Sequence, residues 1–304
     1  MLNIVIAGGT GFIGTALAEK LVASNHSVVV LTREPQRTAA LSERKQSVQW
    51  DAKTVGPWVE ALATTDAVVN LVGENIGGKR WSVTQKKELA QSRMQSTALL
   101  IQGMRGMKKR PSVFVNASAV GYYGNVPAGE VPEEHPPGSD FLAQLCVQWE
   151  REAMKAAALG LRVVTIRSGI ILSKEGGALP KMLFPFRLFV GGPLGTGKQW
   201  FPWIHLDDEI RAIQFALESN SLNGAVNLTT PNPVTMREFC QALGKAMHRP
   251  WWTPVPGFVL KAVLGEMAGP LLLGGQRAVP KKLLAAGFQF RFNKVEEALL
   301  ELLG

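Results

Sequence analysis

Residues 2–14 read LNIVIAGGTGFIG, and this stretch decides the fold. Its first six residues predict a buried strand, and apolar residues at helical spacing from Phe12 onward predict a helix. The glycines between them fit a turn that lies against a pyrophosphate. Gly8 permits the tight turn, Gly11 leaves room for the ligand, and Gly14 lets the helix pack on the strand. Because the amides at the helix start face an anion, the stretch predicts a dinucleotide-binding turn.

The composition limits the classes of protein that fit. Apolar residues make up 46% of 304 residues, and no run of about eighteen apolar residues occurs, so we expect a large core and no membrane span. The chain starts directly in a strand, without the pattern of an export signal. Cys146 and Cys240 lie far apart in helix-like segments, which favours free thiols in a cytoplasmic protein. The histidines lack the spacing of metal ligands, so we expect no metal.

The net charge of +9 indicates an anionic partner. Lysine and arginine are spread along the chain instead of forming one long basic run. This distribution favours an anionic cofactor or small-molecule substrate and argues against a nucleic-acid partner.

Strand-like and helix-like segments alternate through the first half of the chain, which predicts an α/β fold with a doubly wound, Rossmann-type parallel sheet. In this fold the ligands lie beyond the carboxyl ends of the strands. The strand candidates are 2–7, 27–32, 47–50, 66–72, 112–117 and 161–166, and the helical patterns are 12–24, 55–63, 82–104 and 139–159.

After about residue 170 proline and glycine become frequent, which predicts a second region. We expect residues 1–170 to form the dinucleotide-binding domain, with 205–232 returning to it. Residues 171–304 are expected to form mainly a smaller, helix-rich C-terminal substrate lobe. Within it, 257–275 is apolar but interrupted by charge and proline, so a packed helix and turn is favoured over a membrane-surface anchor.

The end of the second strand predicts which dinucleotide is bound. An NAD site usually has an acidic residue about 20 positions after the glycine turn, where this chain has Thr32 and Arg33. A hydroxyl and a guanidinium suit a 2′-phosphate, so NADP(H) is favoured. The alternative for Arg33 is a surface arginine. Residues 70–75 follow the fourth strand and should run beside the adenine and its ribose. Ser118, at the end of the fifth strand, should reach a substrate oxygen.

Several motifs resemble the extended, epimerase-like form of the short-chain dehydrogenase/reductase superfamily. They are the G-x-x-G-x-x-G turn, SAVGYYG at 118–124 and WIHLDD at 203–208. A closer resemblance is to its atypical "epimerase family protein" branch, through NLVGENI at 70–76, RW at 80–81, QSR at 91–93, PFR at 185–187 and GGPLGTG at 191–197. GGQRAVPK at 274–281 is similar to that branch's C-terminal domain of unassigned function, expected here at about 248–296.

The resemblance implies an NADP(H)-binding protein. It places Thr32 and Arg33 beside the 2′-phosphate and adds residues that spacing alone does not select, such as Glu88 and Arg93. The implied cofactor contacts are Gly8, Thr10, Gly11, Phe12, Ile13, Gly14, Thr32, Arg33, Leu71, Val72, Glu88, Arg93 and Ile171.

The family's usual acid/base pair, Tyr-x-x-x-Lys, is absent. The helix that should carry it reads DFLAQLCVQWE at 140–150, and the only tyrosines are Tyr122 and Tyr123. One hypothesis is an enzyme that moves a hydride to or from a carbonyl or sugar-nucleotide substrate. Ser118 would then polarise the substrate oxygen, and a tyrosine, with a contribution from His205, would supply the acid/base. Aromatic packing over the cofactor pocket is the alternative for the tyrosines.

The competing hypothesis is a non-catalytic NADP(H)-binding sensor or regulator, linked to division, that works through a protein partner. The missing Tyr-x-x-x-Lys favours it, while the glycine turn and Ser118 keep the enzyme hypothesis open. Substrate residues are predicted from an aromatic and basic cluster, in which Arg187, Trp203 and His205 could hold a sugar ring or a phosphate. Core packing for Trp203, and a polar residue between the lobes for His205, are the alternatives.

Overall fold

The computed structural model describes residues 1–37 and 42–304. Numbered along the chain, the strands in these residues are β1 (Asn3–Ala7), β2 (Ser27–Thr32), β3 (Lys45–Gln49), β4 (Ala67–Asn70), β5 (Val113–Ala119), β6 (Val126–Val131), β7 (Arg162–Ser168), β8 (Ile170–Leu172), β9 (Trp200–Phe201), β10 (Trp203–His205), β11 (Gly224–Leu228), β12 (Val234–Thr235) and β13 (Gln276–Ala278). The α-helices are α1 (Phe12–Ala23), α2 (Val83–Arg105), α3 (Phe141–Met154), α4 (Leu179–Arg187), α5 (Leu206–Glu218), α6 (Met236–Met247), α7 (Gly257–Leu264), α8 (Lys281–Ala285) and α9 (Val295–Leu303).

The main sheet is parallel and runs in the order β11-β7-β5-β4-β1-β2-β3. The chain winds outward from β1 in both directions, so the order reverses between β1 and β4. The prediction of a Rossmann-type doubly wound fold is therefore confirmed. The carboxyl ends of β1, β2, β4 and β5 lie at one edge, where this fold binds its ligands.

Apolar side chains project from both faces of the sheet, and both faces are covered by helices, so the strands are almost continuously hydrophobic. On one face Ile6 packs with Leu17 of α1 and with residues of α5. On the other face Val5 and Phe114 pack with Leu100 of α2. Each cluster excludes water from one side of the sheet, so the helices are held by burial on both faces.

Two of the helical patterns differ from the prediction. Residues 55–63 contain only the short 3₁₀ helix Pro57–Leu62, because Pro57 follows Gly56 and the segment is too short for a stable α-helix. The pattern 139–159 divides into α3 and the 3₁₀ helix Lys155–Leu159, which ends at Gly160 in the left-handed region.

The second half of the chain contributes to two bodies of structure. Helix α5 packs on α1, and β11 pairs with β7 at the edge of the main sheet. A separate core surrounds Trp203 and Phe239 and takes its other side chains mainly from α4, α6 and α9. Near the end of the chain β13 pairs in parallel with β6, from Gln276 opposite Val126 to Ala278 opposite Val131. The C-terminal segment is thus joined to the first half by a strand pairing.

None of the helices formed by residues 1–37 and 42–304 combines the length and the hydrophobicity that crossing a bilayer requires.

Candidate functional site

The glycine turn has the geometry of an anion cradle. Gly8 has φ +80°, and the amide of Gly11 donates to the carbonyl oxygen of Gly8 at 3.0 Å. A Cβ on Gly14 would clash with that same carbonyl oxygen and would lie 2.6 Å from the Cα of Gly9. The N-cap of α1 is Gly11, which has no side chain to bond the first amides of the helix. These amides are therefore open to a ligand.

The residues at the end of β2 lie one strand away from this turn. Thr32 is buried, and its Oγ1 accepts a hydrogen bond from the Glu34 amide at 3.2 Å. Arg33 is exposed at the carboxyl edge of the sheet. A cation that extends from this edge, beside the turn, can approach an anionic group of a bound dinucleotide.

The loop after β4 and the segment after β8 lie close to the turn. The Leu71 amide bonds the carbonyl oxygen of Ala7 at 2.9 Å, so Leu71 and the half-buried Val72 run directly past the end of β1. Ile171 is half-buried in β8, and Gly176, soon after it, lies against the Phe12 ring, where a Cβ would meet that ring at 2.6 Å. The structure thus brings these predicted cofactor contacts together.

Helix α2 supplies the two remaining residues, and it positions them differently. The Arg93 guanidinium donates to the carbonyl oxygens of Leu89 at 3.0 Å and Glu74 at 3.2 Å, and it lies 5.0 Å from the Trp149 ring. Burial lowers the pKa of Arg93. Glu88, on the same helix, is exposed. Arg93 is therefore fixed against the loop after β4, whereas Glu88 extends toward solvent.

Ser118 lies at the end of β5 and bonds to a buried ion pair. Its hydroxyl donates to Oε1 of Glu150 at 2.6 Å. The Arg167 guanidinium holds both carboxylate oxygens of Glu150, through Nε and Nη2 at 2.8 Å each. The ionised carboxylate of Glu150 has no proton to donate. The Ser118 hydroxyl must therefore be the donor in this bond, and its single proton is committed to Glu150.

The sequence interpretation missed Glu150 and Arg167. The available signal was an arginine near the end of the apolar strand RVVTIRS, at 162–168. Arg167 is 3% exposed, and a buried guanidinium needs a carboxylate partner. A carboxylate partner was therefore to be expected on α3, the helix that packs on this face of the sheet.

The two tyrosines play different parts in the same network. The Tyr123 hydroxyl donates to Oδ1 of Asn227 at 2.7 Å and accepts from Nη1 of Arg167 at 2.9 Å. Burial raises the pKa of Tyr123 to about 12. Tyr122 is half-buried, with its ring 3.4 Å from the Arg167 Cζ, and no hydrogen bond of its hydroxyl occurs within residues 1–37 and 42–304. Of the two tyrosines, Tyr122 is therefore the one whose hydroxyl has no hydrogen-bond partner in the described part of the chain.

The positions expected to hold the Tyr-x-x-x-Lys pair are apolar in this helix. Leu142 packs in a cluster with Trp81 and Met267, and Met267 comes from the C-terminal region. Cys146, four residues later, is a buried free thiol whose pKa burial raises to about 12. Neither side chain can exchange a proton with a substrate near neutral pH.

The three predicted substrate residues do not come together. Trp203 is fully buried in the core that it forms with Phe239, which agrees with the alternative of a core-packing role. Arg187 is exposed at the end of α4. His205 caps α5 by accepting the Asp207 amide at 3.1 Å, and its Nε2 donates to Glu301 at 3.1 Å. Burial lowers the pKa of His205. His205 therefore has a structural partner on each ring nitrogen.

The described part of the chain contains no group of three His, Cys, Asp or Glu side chains placed to hold a metal ion.

Comparison with known proteins identifies the family. The family described as NAD dependent epimerase/dehydratase matches residues 4–228, and a domain of unknown function, DUF1731, matches residues 255–302. The chloroplastic SDR39U1 homolog of Arabidopsis thaliana, an epimerase family protein, is 42% identical over 300 residues, covering 98% of this chain and 86% of that protein. The epimerase family protein SDR39U1 of Homo sapiens is 38% identical over 304 residues, covering 99% of each.

A crystal structure of human SDR39U1 (isoform 2) with NADPH has the same fold. It matches with a TM-score of 0.87 at 36% identity and covers 99% of both chains. This chain therefore belongs to the NAD dependent epimerase/dehydratase family, with the DUF1731 domain at its C-terminus, and the resemblance to the atypical branch is confirmed.

Proposed function

We propose that this chain binds NADP(H) and acts in the cytoplasm as an epimerase-like oxidoreductase on a carbonyl or sugar-nucleotide substrate. The observation that carries the proposal is the glycine turn, whose open helix start lies one strand from Thr32 and Arg33. The human relative crystallised with NADPH supports the choice of cofactor.

The residues present fit this cofactor. The cradle excludes any side chain at Gly8 and Gly14, since a Cβ on Gly8 would lie 3.0 Å from the carbonyl carbon of Leu71. In this proposal the first amides of α1 hold the pyrophosphate, and Arg33 holds the 2′-phosphate. We propose that Leu71, Val72 and Ile171 form the apolar walls of the cofactor site, and that Arg93, which bonds the carbonyl oxygen of Glu74, supplies a cation there.

The chain's own residues suggest a division of roles at the reacting end. Bound NADP(H) supplies or accepts a hydride. Tyr122 has a free hydroxyl and serves as the proton donor to a substrate oxygen in the direction of reduction. Ser118 accepts a hydrogen bond from a substrate hydroxyl, because its own proton is held by Glu150. Arg167 orients both residues, through Glu150 and through the ring of Tyr122.

The preference for a 2′-phosphate can be tested at Arg33. Arg33→Asp is expected to weaken NADPH binding by about tenfold or more, because it replaces a phosphate-binding cation with a repelling carboxylate, and to change NADH binding much less. Titration of cofactor fluorescence measures both. Arg44→Asp is the matched control. Arg44 is also exposed, but it precedes the amino end of β3, whereas Arg33 follows the carboxyl end of β2. Equal losses for NADPH and NADH would refute the assignment.

Turnover tests the catalytic roles. With a panel of carbonyl compounds and nucleotide sugars, NADPH oxidation is expected, and Tyr122→Phe is expected to lower kcat by about 10²-fold or more. Ser118→Ala should lower it as well, while both variants keep their affinity for NADPH. An unchanged kcat in Tyr122→Phe would remove that residue from the mechanism.

A specific observation favours the alternative, a non-catalytic NADP(H) sensor or division-related regulator with a protein partner. Leu142 and Cys146 are buried in the helix where the family's acid/base pair is expected. Tight NADPH binding without turnover of any compound in the panel would support this alternative against the enzyme.

A further inference from the structure

Two neighbouring surface segments, 179–199 and 245–265, form one surface beside the core that surrounds Trp203 and Phe239. The Thr253 amide donates to the carbonyl oxygen of Gly191 at 3.2 Å, and the Val255 amide donates to that of Pro193 at 3.0 Å. The Arg249 guanidinium lies 4.5 Å from the ring of Phe189. The segments are thus bonded between 191–195 and 253–255 and in contact at Phe189 and Arg249, and we call their shared surface the basic apolar face.

Large apolar side chains project from this face. Phe258 is 75% exposed, Trp252 73% and Phe184 63%. Leu188, Phe189 and Val190 are also exposed. Helix α7 has no buried residue at all, although most of its side chains are apolar. Leu264 packs against the cluster that contains Trp81 and Met267, but Phe258 and Val263 on the same helix are exposed, so a further surface is expected to cover the exposed side of α7.

The charge on this face has one sign. The first segment carries Lys181, Arg187 and Lys198, and the second carries Lys245, Arg249 and Lys261. Neither segment contains an aspartate or glutamate, so the two segments together contribute six cations and no anion, against a net charge of +9 for the whole chain. Glu266, the next acidic residue along the chain, is paired with Lys86. In the part of the chain that the structure describes, none of the six cations forms an ion pair with an acidic side chain.

The arrangement of charge and shape selects among possible occupants. A second copy of the face would bring its cations against these cations, which like-charge repulsion opposes. The apolar side chains of a groove that binds a partner's helix are recessed between flanking elements. The rings on this face project into solvent instead, which argues against a helix-binding groove. Projecting aromatic side chains among lysines and arginines match an anionic bilayer, where rings enter the headgroup region and cations meet lipid phosphates.

We propose that the basic apolar face docks this protein on the surface of an anionic lipid bilayer. Attachment is peripheral, with α7 and Trp252 entering the interface and the lysines and arginines contacting the headgroups. Within 257–275, the segment predicted to pack, Met267 and Ala268 are buried and Leu264 of α7 packs beside Met267, whereas the exposed side of α7 is available for the membrane.

The experiment is co-sedimentation of the full chain with large unilamellar vesicles. Vesicles of three parts phosphatidylcholine to one part phosphatidylglycerol are expected to retain the protein at low salt and to release it at high salt. Vesicles of phosphatidylcholine alone should retain at least about tenfold less. The double variant Trp252→Ser/Phe258→Ser should lose binding by about tenfold, and Lys245→Glu/Lys261→Glu should lose it too.

The matched control is Val83→Ser/Leu300→Ser, which removes two side chains of comparable exposure outside the face. It should bind vesicles like the original chain, and all variants should keep the original unfolding midpoint. Wild-type protein that stays in the supernatant would overturn the proposal, as would equal retention by neutral vesicles or equal loss in the control. A stable dimer that Trp252→Ser/Phe258→Ser disperses would assign the face to a second copy instead.

Discussion

Glu150→Gln is expected to lower the free energy of unfolding by about 3–5 kcal/mol. The substitution keeps the size of the side chain but leaves the Arg167 guanidinium, which is 3% exposed, without a counter-charge. Arg167 also bonds Tyr123 and the carbonyl oxygen of Glu133, so its charge cannot move to water without breaking the network. Urea unfolding followed by circular dichroism measures the loss.

The control for this prediction is Glu152→Gln on the same helix. Glu152 pairs with Lys155 at the surface, where such a pair contributes at most about 1 kcal/mol. The double variant Glu150→Gln/Arg167→Met should regain much of the loss, since it removes the unpaired charge. If Glu150→Gln and Glu152→Gln unfold at the same urea concentration, the Glu150–Arg167 ion pair does not stabilise the folded protein more than a surface pair does.

The second large effect is a dependence of stability on pH that arises from Glu209. This glutamate is fully buried, its Oε1 accepts from the Ser168 hydroxyl at 2.6 Å, and within residues 1–37 and 42–304 its Oε2 has no partner. Burial raises the pKa of Glu209 to about 8 from the usual 4.5. The folded protein therefore holds this proton at neutral pH, while the unfolded chain has already released it.

The sign of the effect follows from proton binding. Between about pH 4.5 and about pH 8 the folded state binds more protons than the unfolded state, so stability falls as the pH rises. The loss is on the order of 5 kcal/mol and is complete above the folded-state pKa. Glu209→Gln removes this dependence, so the variant should gain stability relative to the original chain as the pH rises.

Urea unfolding of both proteins across this pH range tests the prediction. The difference between them isolates Glu209, because His205 is present in both. Burial lowers the pKa of His205, and that group acts in the opposite direction, adding stability as the pH rises toward its unfolded-state value. Glu296→Gln, at an exposed position of α9, is the control. A constant difference between Glu209→Gln and the original chain would contradict the prediction.

The sheet and the turn could be predicted because their signals are local. The strand of residues 2–7 and the glycines after it are consecutive, and their spacing alone specifies a strand, a turn and a helix. The position of Arg33 also follows from counting along the chain. These features need no knowledge of distant contacts.

The site network could not be predicted in the same way. Ser118, Glu150 and Arg167 come from β5, α3 and β7, and only the packing of α3 on the sheet brings them together. Nothing local distinguishes Trp203, which is fully buried, from the exposed Trp252. The exposure of an aromatic residue depends on what packs against it, and sequence periodicity in short segments does not contain that information.

The pairing of β13 with β6 has a consequence for how the chain folds. Gln276 lies opposite Val126, so this contact joins residues 150 positions apart, and among the described residues β13 is the last strand to be synthesised. Strand β11, which completes the main sheet, also emerges late. Contacts between distant residues slow folding, because a large loop must close before they form. We therefore expect a nascent chain that ends before β13 to expose unpaired β6 and to depend on chaperones until synthesis is complete.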